Sequence, residues 1–240
     1  MRVGIHQINY LPWLGYFNKI AKSDKFILMD EVQLTDSGTM QRNRVLNKNG
    51  EPTYITIAFE KKGYQEKMFK EIKLNEQVDW QARQLNFLKD AYHKSPYWEE
   101  VFNLIEPLFL RKFEYLMDVN LLGLKTMLEA MEIHTPLVMQ SELLYDRESK
   151  KNDLVLELCK AIGADIYLSG NGAKKYMELT PFREVGIAVQ FQTYTAPAYS
   201  QRYSPESITG LSILDVLLNI GIEKTKKLFW ENLQNEEVSL

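Results

Sequence analysis

Five short stretches of the chain hold side chains that could do chemistry together. His6, Gln7 and Asn9 lie in HQINYLPWLGYF, and Asp30, Glu31 and Gln33 lie in KFILMDEVQ. Arg42, Asn43 and Arg44 lie in QRNRV, Ser169, Gly170, Asn171 and Gly172 in IYLSGNG, and Gln192 in VQFQTY. An imidazole and carboxamides can stabilise charge on a phosphate, and backbone N–H groups of a glycine loop can do the same. A pair of arginines around an asparagine suits a phosphate or carboxylate clamp, although the same residues also suit a solvated hairpin loop. Asp30 is placed to orient a hydroxyl or to hold magnesium, which takes one or two carboxylates plus substrate phosphates.

These residues become a site only if the intervening segments bring them together. RVGIHQ reads as a buried strand, PWLGYFNKIAKSD as a helix with Pro12 in its first turn, and KFILMD as a second strand. Short connections make this a right-handed βαβ unit on a parallel sheet, whose ligands bind at the carboxyl ends of the strands. His6, Gln7 and Asn9 end the first strand, and Asp30, Glu31 and Gln33 end the second. Asn49-Gly50 signals a turn after the polar loop LTDSGTMQRNRVLNKNGEP, with YITIAF as a strand beyond it.

Residues 76–133 are helical in pattern almost throughout, punctuated by Ser95-Pro96 and Pro107. HTPLVMQSE returns to strand character, KKNDLVLELCKAIG is an amphipathic helix stopped by Gly163, and ADIYLSG is a strand feeding the glycine loop. A short helix is expected over Ala173 to Met177. VGIAVQFQTY is a further strand and LSILDVLLNIG a last amphipathic helix, with Asp215 on its surface or buried and hydrogen bonded. The expectation is one α/β domain over 1–240: an α/β part at 1–75, a helical subdomain at 76–133, and an α/β part with C-terminal helices at 134–240.

Composition closes off several classes. The 240 residues carry a net charge of −3, so no basic bias points to nucleic acid. One cysteine, Cys159, excludes an intrachain disulfide and reads as a small core residue on its helix. The reading is a cytoplasmic protein with no membrane span. Three scattered histidines do not make a zinc site, and His93 reads as structural. No GxSxG, GxxxxGK[ST] or GxGxxG motif is present, which disfavours an α/β hydrolase, a P-loop NTPase and a Rossmann dehydrogenase.

HQINYLPWLGYFNKIAKSDKFILMDEVQ, RNRVLNKNGEPTYITI, AYHKSPYW, LCKAIGADIYLSGNG, VQFQTY, PAYSQ and LSILDVLLNIG together resemble the WbqC-like proteins of bacteria, over nearly the whole chain. Ile8 stands where that pattern has proline, and Ala196 where it has histidine. The resemblance implies surface-polysaccharide or O-antigen (lipopolysaccharide) biosynthesis. The opening elements are also similar at fold level to HUP and nucleotidyltransferase proteins, without their HxGH motif. The expected activity is that of an enzyme acting on a phosphorylated or nucleotide-activated small molecule, with ATP and magnesium as the cofactors to consider. Its specific form is adenylate-forming N-acylation or aminoacylation of an amino sugar, with His6, Asn9 and Asp30 as catalytic residues. A glycosyltransferase using a nucleotide sugar, and a non-catalytic scaffold of polysaccharide assembly, are the alternatives. Oligomeric state is left open.

Overall fold

The computed structural model describes residues 1–35 and 38–238. Asp36 and Ser37, within the polar loop read above, lie outside the described residues. β1 (Arg2–Gln7), α1 (Leu14–Ala21) and β2 (Lys25–Met29) form the strand–helix–strand unit that the apolar pattern calls for. An antiparallel hairpin follows, β3 (Arg42–Leu46) with β4 (Pro52–Thr56), then α2 (Trp80–Tyr92), α3 (Trp98–Leu110) and α4 (Leu116–Ala130). The chain returns through β5 (Leu137–Met139), α5 (Lys151–Ile162), β6 (Ile166–Ser169), α6 (Thr180–Glu184) and β7 (Ala188–Phe191). It closes with α7 (Ile213–Ile220) and α8 (Ile222–Val238).

The larger sheet runs β5-β2-β1-β6-β7, with every neighbouring pair parallel. The fold is therefore α/β. From β1 the chain builds outward through β2 and β5, then outward on the other side through β6 and β7. The direction of winding reverses between β1 and β6, and the carboxyl ends of strands on either side of such a reversal splay into a crevice. The register shows where this happens. β1 pairs with β2 as far as Gln7–Met29, but with β6 only as far as Gly4–Leu168.

Side-chain alternation along the strands supplies two cores, one on each face of the sheet. Phe26 and Leu28 join a large cluster with Phe17 and Ile20 of α1, the hairpin, the helices α2 to α4, and α7. Val3, Ile5 and Ile27 join a smaller one with Leu158 and Cys159 of α5, Tyr167 and Phe182. Gly4 permits close packing on the α1 side. A Cβ there would lie 2.5 Å from Ser23 Oγ and 2.6 Å from the Phe26 ring.

Several boundaries differ from the pattern reading. α1 starts at Leu14 with Trp13 as its N-cap, so Pro12 precedes the helix instead of occupying its first turn. Part of the expected polar loop is β3, because Val45 and Leu46 are buried and pair with β4. β4 ends at Thr56, and Phe59 only bridges to Leu74. α3 runs through Pro107, which forfeits one backbone donor while Val101, Ile105, Leu108 and Phe109 bury a stripe on both sides of it. The short helix expected over Ala173 to Met177 is a 3-10 helix that starts earlier, over Asn171–Lys175. The last helix is α8, not α7.

Candidate functional site at the sheet's carboxyl edge

The splayed ends of β1 and β6 open into a cleft of ≈ 1040 Å³. β1 lines it with Ile5, His6 and Gln7, and β6 and its loop with Tyr167, Ser169, Gly170 and Gly172. The start of α5 adds Lys150, Lys151, Asn152 and Asp153, and the segment after the 3-10 helix adds Tyr176, Met177 and Glu178. Two hydrogen bonds of 3.2 Å between Asn152 and the backbone of Glu178 tie those last two segments together. A Cβ at Gly170 or Gly172 would meet nothing within 4 Å, so the loop leaves its backbone open to a ligand. Lys151 has a φ of 53°, a left-handed conformation that costs a side-chain-bearing residue about 1–2 kcal/mol.

The cleft residue that pattern reading missed is Lys19. It lies on α1 and is 3% exposed, and its Nζ donates a 2.7 Å hydrogen bond to the Ile5 carbonyl, one residue past the last β1–β6 pair. Its ammonium sits 5.9 Å from the Phe26 ring centre and 5.8 Å from that of Tyr167, which belong to the two opposite cores. Lys19 thus reaches through the gap in the sheet and satisfies a carbonyl beyond the end of the β1–β6 ladder. On paper it is one lysine in an amphipathic helix; no local signal distinguishes it from a solvated residue.

Lys19 and His6 set the electrostatics. Burial pushes the Lys19 amine down from 10.5 to about 7, opposed by the Cys159 thiol. Burial and the charge of Lys19 together push the His6 imidazole down to about 4, opposed by its hydrogen bond with Gln7. His6 is therefore neutral at physiological pH. Its Nδ1 lies 3.1 Å from the Gln7 carbonyl; in the tautomer that donates this bond, Nε2 is left as an acceptor. Tyr16 holds the imidazole edge-on at 5.0 Å between ring centres and donates to the same carbonyl at 2.9 Å. Burial pushes the Cys159 thiol up to about 12, with Lys19 opposing, which suits the core role read from its helix.

Of the residues singled out by type and spacing, the cleft gathers His6, Gln7, Ser169, Gly170 and Gly172. Asn171, on the same loop, is exposed and is not among the lining residues. Asn9 is buried, and its Oδ1 has no hydrogen-bond partner among the described residues. Asp30 is buried at the end of β2, where its Oδ1 accepts from Ser141 N at 3.0 Å. Glu31 pairs with Lys70 at 2.7 Å and Arg147 at 3.4 Å and accepts from Tyr145 at 2.7 Å. Its partial burial works to raise the carboxyl pKa, but Lys70, Tyr145 and Arg147 together outweigh it and hold the group low. Gln33 is exposed and donates to Gln65 O at 2.9 Å. Among the described residues, no group of three or more His, Cys, Asp and Glu could hold a metal.

Arg42, Asn43, Arg44 and Gln192 are not among the residues that line the cleft, and the amides of Asn43 and Gln192 hold backbone in place. Arg42 stacks on Tyr54 at 4.3 Å. Asn43 donates to the carbonyls of Tyr10 at 3.2 Å and Leu11 at 2.8 Å, and its Oδ1 accepts from Arg44 N. The Arg44 carbonyl accepts from Ser212 N. Gln192 donates to Gly15 O and Asn18 Oδ1, both at 2.8 Å. Asn120 of α4 donates to Ile8 O and Met40 O, and Ser212 donates to Leu11 O. The loop after β1, with Leu11 at a φ of 41°, is thus held by three side chains distant in sequence. Replacing Asn43 with alanine strands the Tyr10 carbonyl in the interior and is expected to cost about 2–3 kcal/mol. Urea unfolding should show a lower midpoint with an unchanged slope; a loss under about 0.5 kcal/mol would show that the loop does not depend on this amide.

The model of the WbqC-like protein family matches residues 7–227, and the chain belongs to that family. It is 29% identical over 225 residues to a Mycobacterium tuberculosis protein named as uncharacterized, Rv1507c, covering 92% of this chain and 95% of that one. No solved structure matches it. No helix among the described residues is long and apolar enough to cross a membrane.

Proposed function

We propose that this member of the WbqC-like family is an enzyme of bacterial surface-glycan synthesis. On this reading it binds a phosphorylated or nucleotide-activated small molecule in the β1–β6 cleft and transfers a group to or from it. The observation that carries the reading is the cleft itself. It lies at the reversal of strand order, where open parallel sheets bind ligands. It is large enough for a nucleotide-sized molecule and combines three lysines, an open glycine loop and a neutral imidazole.

Lys19, Lys150 and Lys151 balance phosphate charge in this scheme, and the backbone at Gly170 and Gly172 approaches the ligand unhindered by side chains. His6 Nε2 accepts a hydrogen bond or a proton from the attacking group. The exposed Tyr176 ring at the rim offers a face to a base or sugar ring. Glu31 takes no part, because its oxygens are engaged by Lys70, Tyr145 and Arg147, and Asp30, whose Oδ1 accepts from Ser141 N, is not among the residues that line the cleft. Amide formation through an adenylate is the specific form, releasing AMP and pyrophosphate.

Thermal shift with ATP, UDP-sugars and dTDP-sugars tests the reading. A ligand at a hundred times its Kd adds about 2.7 kcal/mol and is expected to raise Tm by roughly 5–10 °C. ATP alone shifting Tm favours the adenylate route, and a nucleotide sugar alone favours glycosyl transfer. No shift with any of them would sink the enzyme reading in favour of a scaffold.

A further inference from the structure

We propose that Lys19 is the phosphate-recognition residue of this cleft, and that the site takes up a proton together with its anion. The inference rests on the cleft being a phosphate-ligand site and specifies how that site works. Lys19 is the one buried cation among the described residues. No carboxylate among them lies within ion-pair distance of it, and its one hydrogen-bond acceptor is a neutral carbonyl. The other buried charges are provided for within the fold: Asp30 has a backbone donor, and Asp215 has five donors. Burying an ammonium without an opposite charge is costly. The two aromatic faces at nearly 6 Å offset only part of that cost. A cation kept at such cost, on the wall of a cleft and without a counter-ion from the protein, matches a ligand that brings the negative charge.

Each element around Lys19 contributes a group with a bearing on its protonation. β1 presents His6, which is neutral; α5 presents the Cys159 thiol and β6 the Tyr167 phenol, both pushed by burial towards their uncharged forms. α1 adds Tyr16, whose hydroxyl is donated to Gln7 O. Lys150, Lys151, Asp153, Tyr176 and Glu178 are exposed at the rim, where solvent screens them. With a free-state value of about 7, Lys19 is mostly neutral above pH 8. A bound dianion stabilises the ammonium and raises that value. Binding above about pH 7 therefore consumes close to one proton, and affinity falls by up to about tenfold per pH unit.

The test uses sulfate, a dianion that does not itself titrate in this range, with Kd measured by thermal shift at intervals from about pH 6 to about pH 9. The wild type is expected to bind with nearly constant Kd below about pH 7 and a rising Kd above it. Lys19→Arg, which cannot lose its proton, should bind with a flat profile, and Lys19→Met should lose most of its sulfate affinity at every pH. Lys151→Gln should weaken binding while leaving the wild-type slope in place. A flat wild-type profile, or Lys19→Met binding as tightly as wild type, overturns the inference and leaves the ligand site standing. ATP or a nucleotide sugar binding where sulfate does not also overturns the inference alone. Failure of all three probes removes the inference together with the proposed function.

Discussion

Replacing Asp215 with alanine is expected to remove about 3–5 kcal/mol of folding stability, among the largest losses a single substitution here can produce. Asp215 is fully buried on α7, and its carboxylate is the meeting point of four chain segments. Oδ1 accepts from the Tyr92 hydroxyl of α2 and from Leu46 N of β3 at 3.2 Å. Oδ2 accepts from Tyr199 at 2.7 Å and from Gln201 and Asn219, each at 3.2 Å. Alanine would take the acceptor from the Tyr92 and Tyr199 hydroxyls, while Leu46 N keeps the Tyr92 oxygen, Gln201 the Ile208 carbonyl and Asn219 the backbone carbonyl of residue 215. Each unsatisfied donor costs about 1–3 kcal/mol before the structure relaxes.

Burial pushes the Asp215 carboxyl pKa up, and the donors from Tyr92, Tyr199, Leu46 and Gln201 only partly oppose this. A carboxyl raised in the folded state favours folding below its unfolded pKa and loses that contribution as pH rises through its folded value. Acid therefore relieves Asp215, and its titration will not drive acid unfolding. Urea unfolding of Asp215→Ala and Tyr199→Phe checks the hub, with Tyr199→Phe expected to cost about 1–2 kcal/mol. A loss below about 1 kcal/mol for Asp215→Ala would show that this network is not a stabilising hub.

The second large effect is a pH dependence of stability that one residue controls. Lys19 falls from 10.5 to about 7 in the folded protein, chiefly through burial. A lysine depressed by folding makes its full contribution above its unfolded pKa and loses it as pH falls through its folded one. Between about pH 7 and pH 10.5 the unfolded chain binds more protons, so stability rises with pH by up to about 1.4 kcal/mol per unit. The whole window amounts to a few kcal/mol. Lys19→Met removes this slope and is expected to be more stable than wild type at pH 7, less about 1 kcal/mol for the hydrogen bond lost at Ile5. Denaturant unfolding of both proteins from about pH 6 to pH 9 measures the difference, since other titrating groups cancel in the comparison. Parallel curves would mean that the Lys19 amine is not desolvated in the fold. A variant that gains stability and loses anion binding is the stability–function exchange expected of a buried functional charge.

Much of the architecture was legible because it depends on local periodicity. The short apolar runs of RVGIHQ and KFILMD, the stop at Gly163 and the Asn49-Gly50 turn each follow from nearby residues. The helical stripes of α2 to α4 do so as well. Half of the candidate site was legible for a related reason: a residue at the end of a parallel strand lies at the edge where ligands bind, which places His6, Gln7 and Ser169 without knowledge of strand order. The arginine-flanked Asn43 shows where this logic stops. Its type and neighbours suggested an anion clamp, whereas its amide is spent on two carbonyls of the loop after β1.

The sequence by itself determined the α/β class, the strand ends that carry polar groups, and the core role of Cys159. Tertiary structure decided which strand ends meet. The order β5-β2-β1-β6-β7 puts β6 on the side of β1 where pairing stops at Gly4. That pairing brings the Ser169–Gly172 loop to His6 and leaves Asp30 bonded to Ser141. It also decided the state of Lys19. A side chain's charge is set by the dielectric and the partners around it, and those come from α1, β1, β2, α5 and β6, segments distant in sequence that only the folded sheet assembles.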